Sequence, residues 1–307
     1  MFCELCAAAI IGFLCWNLLQ DSDYVLRFYE AFGKSDENLR GKVAWITGAG
    51  SGIGKALALH WASKSVRLVL TDLNSDSLEK VKSTIGAMKS PHTGIEDVLL
   101  LCTGPRNPFV KSTIGAMKSP HTGIEDVLLL SGDVTVRENH SKWFNSVMNK
   151  FGTLDILVNN AGRVVQGDFS TVAFDIDEAL MNVNTMAPVG LTKEVLPHFI
   201  KKKSGHIVTT SSILGHLVIP NVSAYCASKA AVLLTGDFPK ILNPMGPRRC
   251  AKLITVAVVN QVSEAWISTQ PLLGILRISM IIPAWIFDWC GRMGFKLSVW
   301  AKKKGII

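Results

Sequence analysis

Residues 42–54 read KVAWITGAGSGIG, and the fold follows from how that stretch is read. Its opening run, 42–46, has strand length and carries apolar, β-branched and aromatic side chains between two glycines. The glycine-rich turn after it, from Thr47 to Gly54, leads into a segment with helical spacing, 54–64. Glycines at such places let the chain turn tightly, bring backbone close to a pyrophosphate, and let a helix pack closely on its strand. The helix N-terminus adds free N–H groups and a positive dipole end for an anion. Gly48, Ser51, Gly52, Ile53 and Gly54 are therefore candidate dinucleotide-binding positions. A plain turn uses the same glycines; the strand before and the helix after favour the binding reading.

Outward from that turn the pattern alternates. Short apolar runs at 67–70, 127–130, 154–158 and 206–210 read as strands, and longer segments at 77–88, 138–151, 176–201 and 223–234 read as helices. Apolar runs of four or five residues alternating with helices imply parallel strands covered on both faces. The expected architecture is α/β: a single Rossmann-like, doubly wound parallel sheet domain over 39–270. Asp72 ends the second strand, 25 residues beyond Thr47. A carboxylate there accepts hydrogen bonds from the adenosine ribose and repels a 2′-phosphate. Neither Ser51 nor Leu73 offers that phosphate a cation, so NAD is expected over NADP. Capping of the following turn by Asp72 is the competing reading.

One feature interrupts the alternation. Residues 81–101 (VKSTIGAMKSPHTGIEDVLLL) recur identically at 110–130. Solenoid repeats recur several times and diverge, so one perfect pair is not a solenoid. One copy suffices for a helix and a strand; the excess, with the linker CTGPRNPF, must bulge out within 81–130. Only the first copy follows directly from Asp72, and only the second runs into Ser131, Gly132 and Asp133.

Composition bounds the rest. Hydrophobic residues at 48% against 18% charged, with mean hydropathy +0.29, exclude a disordered chain and call for a search for membrane-contacting segments. The seven cysteines are scattered, and Cys3 and Cys6 have no second pair to complete a zinc site, so free thiols and no metal are expected. His206 and His216 stand apart from other ligand types and read as structural.

The net charge of +8 is uneven: 17 Lys/Arg against 20 Asp/Glu up to Gly190, then 15 against 4. The later basic residues alternate with long apolar stretches rather than base-stacking aromatics, which favours a membrane surface over nucleic acid. Residues 5–19 are apolar except Asn17, yet 15 residues fall short of the ~20 that span a bilayer. Segment 1–20 therefore reads as an uncleaved anchor or interfacial helix, with a core helix as the alternative. Segment 271–307 carries Arg277 and Pro283 inside its oily part and then Arg292, Lys296 and three consecutive lysines. It either lies on an anionic surface or packs over the substrate cleft.

The chemistry is carried by four further elements. Asn159, Asn160, Ala161 and Gly162 follow the fourth strand, and Ser212 follows the fifth, at the carboxyl edge where such sheets bind ligands. Tyr225 and Lys229, four apart, project from one face of a helix. An ammonium roughly 5 Å from a phenol, at an effective dielectric of ~20, favours the phenolate by about 3 kcal/mol and moves the phenol toward working pH. Each residue alone is more often structural; the ordered set is hard to reach by chance.

With TGAGSGIG, NNAG, Val183-Asn184, Ser211-Ser212 and YCASK (225–229) in this order, the chain resembles the short-chain dehydrogenases/reductases over about 39–232. Its apolar N-terminus and the AWISTQPLL stretch are similar to those of a membrane-bound branch of that family. The resemblance implies an oxidoreductase moving a hydride between NAD(P) and an alcohol/carbonyl substrate. Tyr225 would be the general acid/base, Lys229 would lower its pKa and hold the nicotinamide ribose, Ser212 would bind the substrate oxygen and Asn184 a proton-relay water. Asp133 would contact adenine, Asn159 would sit beside the adenosine ribose, and Ala161 and Gly162 would be further cofactor-binding positions. A homodimer at the endoplasmic reticulum membrane fits the same picture, and the oily ends suit an apolar substrate such as a steroid, retinoid or other lipid.

The chain also departs from that family. No Pro-Gly pair occurs downstream of Lys229, so the catalytic helix reads as cut short and the sixth strand as missing. Residues 253–260 (LITVAVVN) are the one β-rich stretch to replace it, where the resemblance places a helix. A catalytically impaired, membrane-tethered nucleotide-binding protein is the alternative function.

Overall fold

The computed structural model describes residues 22, 24–88, 124–215, 221–232, 246–262, 265 and 267. The expected anchor 1–20, the segment 271–307, His216 and the linker 102–109 lie outside them. Among the described residues no helix is long and apolar enough to cross a membrane.

Five parallel strands form one sheet in the order β3-β2-β1-β4-β5: β1 Val43–Thr47, β2 Arg67–Asp72, β3 Val127–Ser131, β4 Ile156–Asn159 and β5 His206–Thr209. All five residues of the central β1 are buried, as a strand covered on both faces requires. Side chains alternate between the two layers. Ala44, Ile46, Leu68, Leu70 and Val158 pack toward α2 (Gly52–Ala62), α3 (Ser75–Ala87) and a late helix, Pro247–Val259. Val43, Trp45, Val69 and Leu157 pack toward the helices Arg137–Phe151 (α4) and Ala187–Lys202. Trp45 is fully buried and donates its indole N–H to Thr71 Oγ1 at 2.8 Å, so its polar atom is satisfied inside the core.

The expected helix at 176–201 is three pieces: α5 (Phe174–Met181), a π turn (Asn182–Met186) and α6 (Ala187–Lys202). Apolar spacing does not reveal a π turn, because one extra residue shifts the stripe by only part of a turn. Residues 253–259 are helical, not a strand: they belong to the helix Pro247–Val259, started by Gly246 and a proline in the first turn and ended by Asn260. The helix buries two faces. Trp61 of α2 donates to its Thr255 Oγ1 at 2.9 Å, while Leu253 and Ala257 meet the N-terminal helix α1 (Tyr24–Phe32) through Leu26. Burial on both sides outweighs the β-branched composition. We call the catalytic-region helix Ser223–Ala231 α7 and this last one α8. Among the described residues α7 ends at Ala231 and β5 ends the sheet, each of its residues only half-buried; residues 233–245, where a sixth strand was expected to be missing, lie outside them.

Helix α3 ends in the first copy of the duplicated segment, and β3 is taken from the second. The junction is tight: a Cβ on Gly86 would lie 2.6 Å from Ile124 Cδ1. The excess therefore sits between Met88 and Ile124, whose connection is 35 residues where a single copy needs 6. Deleting 102–130 leaves one uninterrupted copy. Loop-closure entropy then predicts the same fold and a gain of about 1.5 kcal/mol, a rise of a few degrees in the thermal midpoint. A lower midpoint would show that the extra copy makes stabilising contacts of its own.

Helix α1 is clamped to α8 by Glu30, which pairs with both guanidinium nitrogens of Arg249 and, at 3.1 Å, with Lys252. The Arg249 hydrogen bonds dominate and hold the carboxyl down from the usual 4.5 to about 2, against the opposing effect of burial. A depressed pKa stabilises the fold above the unfolded value and loses that contribution as pH falls through the folded one. Glu30→Gln should accordingly lower the thermal midpoint at pH 7, by a gap that narrows below about pH 4.5 toward 2. A gap independent of pH in melting curves would contradict the clamp.

Candidate active site

The carboxyl ends of β1, β4 and β5 bring three loops together. After β1, Gly54 packs so closely that a Cβ would lie 2.2 Å from Gly48 O and 2.7 Å from Asn160 Nδ2. Gly52 has φ +51°, and nothing lies within 4 Å of where its Cβ would stand. The loop is thus pressed against β4 on one side and open on the other, above the start of α2. An exposed helix start with open space before it is a cradle for an anion of phosphate size.

Two residues that sequence reasoning gave no role fasten this loop. Thr47 Oγ1 accepts from the N–H groups of Asn160 and Ala161, both at 3.0 Å, and donates to Val158 O at 3.2 Å. Asn160 Nδ2 donates back to Thr47 O at 3.0 Å and Gly48 O at 3.3 Å. The first turn of NNAG thereby serves as a brace for the glycine loop.

Asp72 closes β2 beside the loop. Its Oδ2 accepts from Gly50 N–H at 2.9 Å and its Oδ1 from Asn74 N–H at 3.0 Å. It therefore does cap the following turn, and each oxygen keeps a further lone pair for a ligand hydroxyl. Asp133, one strand over, accepts at Oδ1 from the backbone and hydroxyl of Thr135, both at 2.8 Å. Asn159 turns away from the loop: its amide donates to Thr192 Oγ1 on α6 at 3.0 Å, and its buried Oδ1 has no partner among the described residues.

On the other side of β4, α7 presents Tyr225 and Lys229 on one face, with Lys229 Nζ 5.9 Å from the centre of the Tyr225 ring. Lys229 is 5% exposed and donates to the carbonyl of Thr210 at 2.9 Å, at the end of β5. Ser212 is buried in the same corner; its Oγ accepts from Leu214 N–H at 3.2 Å. Ser211 ties that corner to α7 by donating to Lys229 O at 2.7 Å.

Asn184 sits in the π turn. Its Oδ1 accepts from Arg163 N–H at 2.9 Å, and its Nδ2 donates to Arg163 O at 2.9 Å and to Ser228 Oγ at 3.0 Å. Ser228, fully buried, passes the link on to Tyr225 O at 2.8 Å. Gly162 threads between: a Cβ there would be 3.1 Å from Asn184 Oδ1 and 3.5 Å from Lys229 Nζ. Asn184, Gly162, Lys229, Tyr225 and Ser212 therefore form one group, and the glycine loop and Asp72 a second group across β4. Ser228 was invisible in the sequence, since a lone serine in a helix carries no signal of its own.

A separate cavity of about 460 Å³ opens at the amino ends of the strands, lined by Lys42, Asp155 and His206 among others. It is at the opposite end of the sheet. Burial there pushes the His206 imidazole below its usual pKa.

Comparison with known proteins bears on these two groups. The family model described as short chain dehydrogenase matches residues 42–97 and 109–240, more than half of the chain. Human dehydrogenase/reductase SDR family member 7 is 28% identical, over 95% of this chain and 90% of its own length. The mouse protein of the same name is 29% identical, over 87% and 82%. Among solved structures, NAD⁺-bound xylitol dehydrogenase is 27% identical with a TM-score of 0.50, covering 63% of this chain and 62% of its own. A metagenomic short-chain oxidoreductase in complex with NADP superposes with a TM-score of 0.58 over 76% and 97%, at 23% identity, and speaks for the fold.

Proposed function

Because the chain belongs to the short-chain dehydrogenase family, we propose that it is a nicotinamide-dependent oxidoreductase interconverting an alcohol and a carbonyl compound. One observation carries this reading: a buried lysine and a tyrosine share a face of α7 beside Ser212, across β4 from an open glycine loop at a helix start. The loop fits a dinucleotide, since its open side at Gly52 offers N–H groups to a diphosphate and Asp72 keeps lone pairs for the ribose. When bound, the nicotinamide supplies or accepts the hydride.

The protein's own residues then handle the proton and the oxygen. Tyr225 donates its hydroxyl proton to the carbonyl oxygen in reduction and takes it back in oxidation. The Lys229 ammonium favours the phenolate that remains, and Ser212 holds the substrate oxygen by a hydrogen bond. Both N–H groups of the Asn184 amide are engaged with Arg163 and Ser228, so a relay water would donate to an oxygen of this residue, the second lone pair of Oδ1 or the main-chain carbonyl in the π turn. Asp133 would meet the adenosine end, while Gly162, at the end of the NNAG turn, lies against Asn184 and Lys229 and would meet the nicotinamide end.

The segment between Gly162 and α5 exposes Val164 and Phe169, the first residue of α5, Phe174, is exposed beside it, and part of the segment packs on the start of α7. An apolar rim beside the site supports an apolar alcohol or ketone. Screening the purified chain against sterols, retinoids and small carbonyls tests this; turnover confined to the small ones overturns it. For the cofactor, the Asp72 carboxylate should make KM for NADH at least about tenfold lower than for NADPH, a difference of about 1.4 kcal/mol. Preference for NADPH would contradict the role given to Asp72.

A second reading rests on β5, which has no outer partner strand among the described residues. It holds that the chain binds the dinucleotide but turns over poorly. Binding without turnover in the same preparation would decide for it.

A further inference from the structure

Two hydrogen bonds from the π turn converge on one residue of α7. Asn184 Nδ2 donates to Ser228 Oγ and Thr185 Oγ1 donates to Ser228 O, both at 3.0 Å. All three residues are buried. A nine-residue helix without a side-chain N-cap has little stability of its own, so α7 takes its register from such bonds. Ser211 holds the next residue from the β5 side, through Lys229 O at 2.7 Å.

The Ser228 hydroxyl has a fixed sense. Its proton goes to Tyr225 O at 2.8 Å, so it turns a lone pair toward Asn184. One N–H of the Asn184 amide is taken by Arg163 O at 2.9 Å, and the other is accepted by this lone pair. Amide, hydroxyl and carbonyl thereby join the residue that would hold a relay water to the backbone of the residue that would give the proton. Alanine at 228 suits a helix but leaves a buried N–H without its acceptor. The Thr185 bond, made to backbone, survives that change.

Resting on the reading of Tyr225 as general acid/base, we propose that Ser228 is a positioning residue for the proton step. Its hydroxyl ties the Asn184 amide to the Tyr225 carbonyl, so the Asn184 oxygen that receives the water keeps its distance to the phenol. Fully buried, Ser228 meets neither substrate nor dinucleotide and acts only through those two residues.

The test compares Ser228→Ala with Thr185→Val in the full chain, with turnover followed in H₂O and D₂O. Ser228→Ala should lower kcat about tenfold, leave KM and NADH affinity within about threefold, and raise the solvent deuterium isotope effect as proton transfer slows relative to hydride transfer. Thr185→Val removes the other bond to the same residue and should lower the thermal midpoint without moving the isotope effect. In an Asn184→Ala background, Ser228→Ala should cost less than about twofold more, because the pair acts as a unit. Ser228→Cys, with a weaker acceptor of similar size, should fall between serine and alanine. An isotope effect unchanged in Ser228→Ala, or raised equally in Thr185→Val, overturns the proposal, as does a fully additive loss in the double variant. A cysteine variant no better than alanine overturns it too, and decides the matter if the alanine variant does not fold. Wild-type chain that binds NADH without turnover sinks the general-acid reading, and the part given to Ser228 with it; normal turnover in Ser228→Ala sinks only the latter.

Discussion

Tyr225→Phe is expected to lower kcat by about 10²–10⁴-fold, the range contributed by a positioned general acid/base, while dinucleotide affinity stays within about threefold of the wild type. The substitution removes one oxygen and little else. The ring stays, with Lys229 Nζ held over its side of α7 by the Thr210 carbonyl, and Ser228 still bonds the backbone at position 225. Structural damage is therefore small, and the loss falls on proton transfer alone. The measurement is steady-state turnover on any substrate from the screen, paired with a titration of NADH fluorescence. A variant that keeps more than about a tenth of wild-type turnover would remove Tyr225 from the chemistry.

Gly54→Ala carries the second large effect, on the other side of β4. The added methyl would meet Gly48 O at 2.2 Å, Gly48 C at 2.9 Å and Asn160 Nδ2 at 2.7 Å. Backbone cannot swing aside as a long side chain can, so the whole turn from Gly48 must move, and the brace between Thr47 and Asn160 must move with it. Overpacking of this kind costs about 1–3 kcal/mol. Because the same turn presents the N–H groups, dinucleotide affinity should fall by about 5- to 150-fold, the equivalent of that cost. Gly52→Ala is the informative partner. It meets no atom and strains only a left-handed backbone, at about 1–2 kcal/mol, so it should lower the thermal midpoint with a smaller loss of binding. Calorimetric titration with NADH separates them; wild-type affinity in Gly54→Ala would show that the loop does not hold the ligand.

Much of this was legible in the residue order. Strands covered on both faces are written as short unbroken apolar runs, and the run at 42–46 became the fully buried β1 at the centre of the sheet. The four-residue spacing of Tyr225 and Lys229 put both on one face of α7, as helical geometry requires. What stayed hidden depends on packing. Residues 253–260 look like a strand by composition, and only burial between α1 and α2 makes 253–259 a helix. The π turn that carries Asn184 leaves no periodic trace, and Ser228 gains its place only because that turn lies against α7. Two identical copies cannot show which half of each is used; the contact between Gly86 and Ile124 decides it.

The central claim is that the Tyr225–Lys229 face of α7 and the glycine loop before α2 address the two ends of one dinucleotide. A crystal structure of the chain with NADH bound tests it most directly. The diphosphate should rest on the N–H groups between Gly48 and Gly54, with the nicotinamide ring beside the Tyr225 hydroxyl and its ribose within reach of Lys229 Nζ. A dinucleotide seated elsewhere, or a Tyr225 hydroxyl facing away from the nicotinamide, would contradict the account.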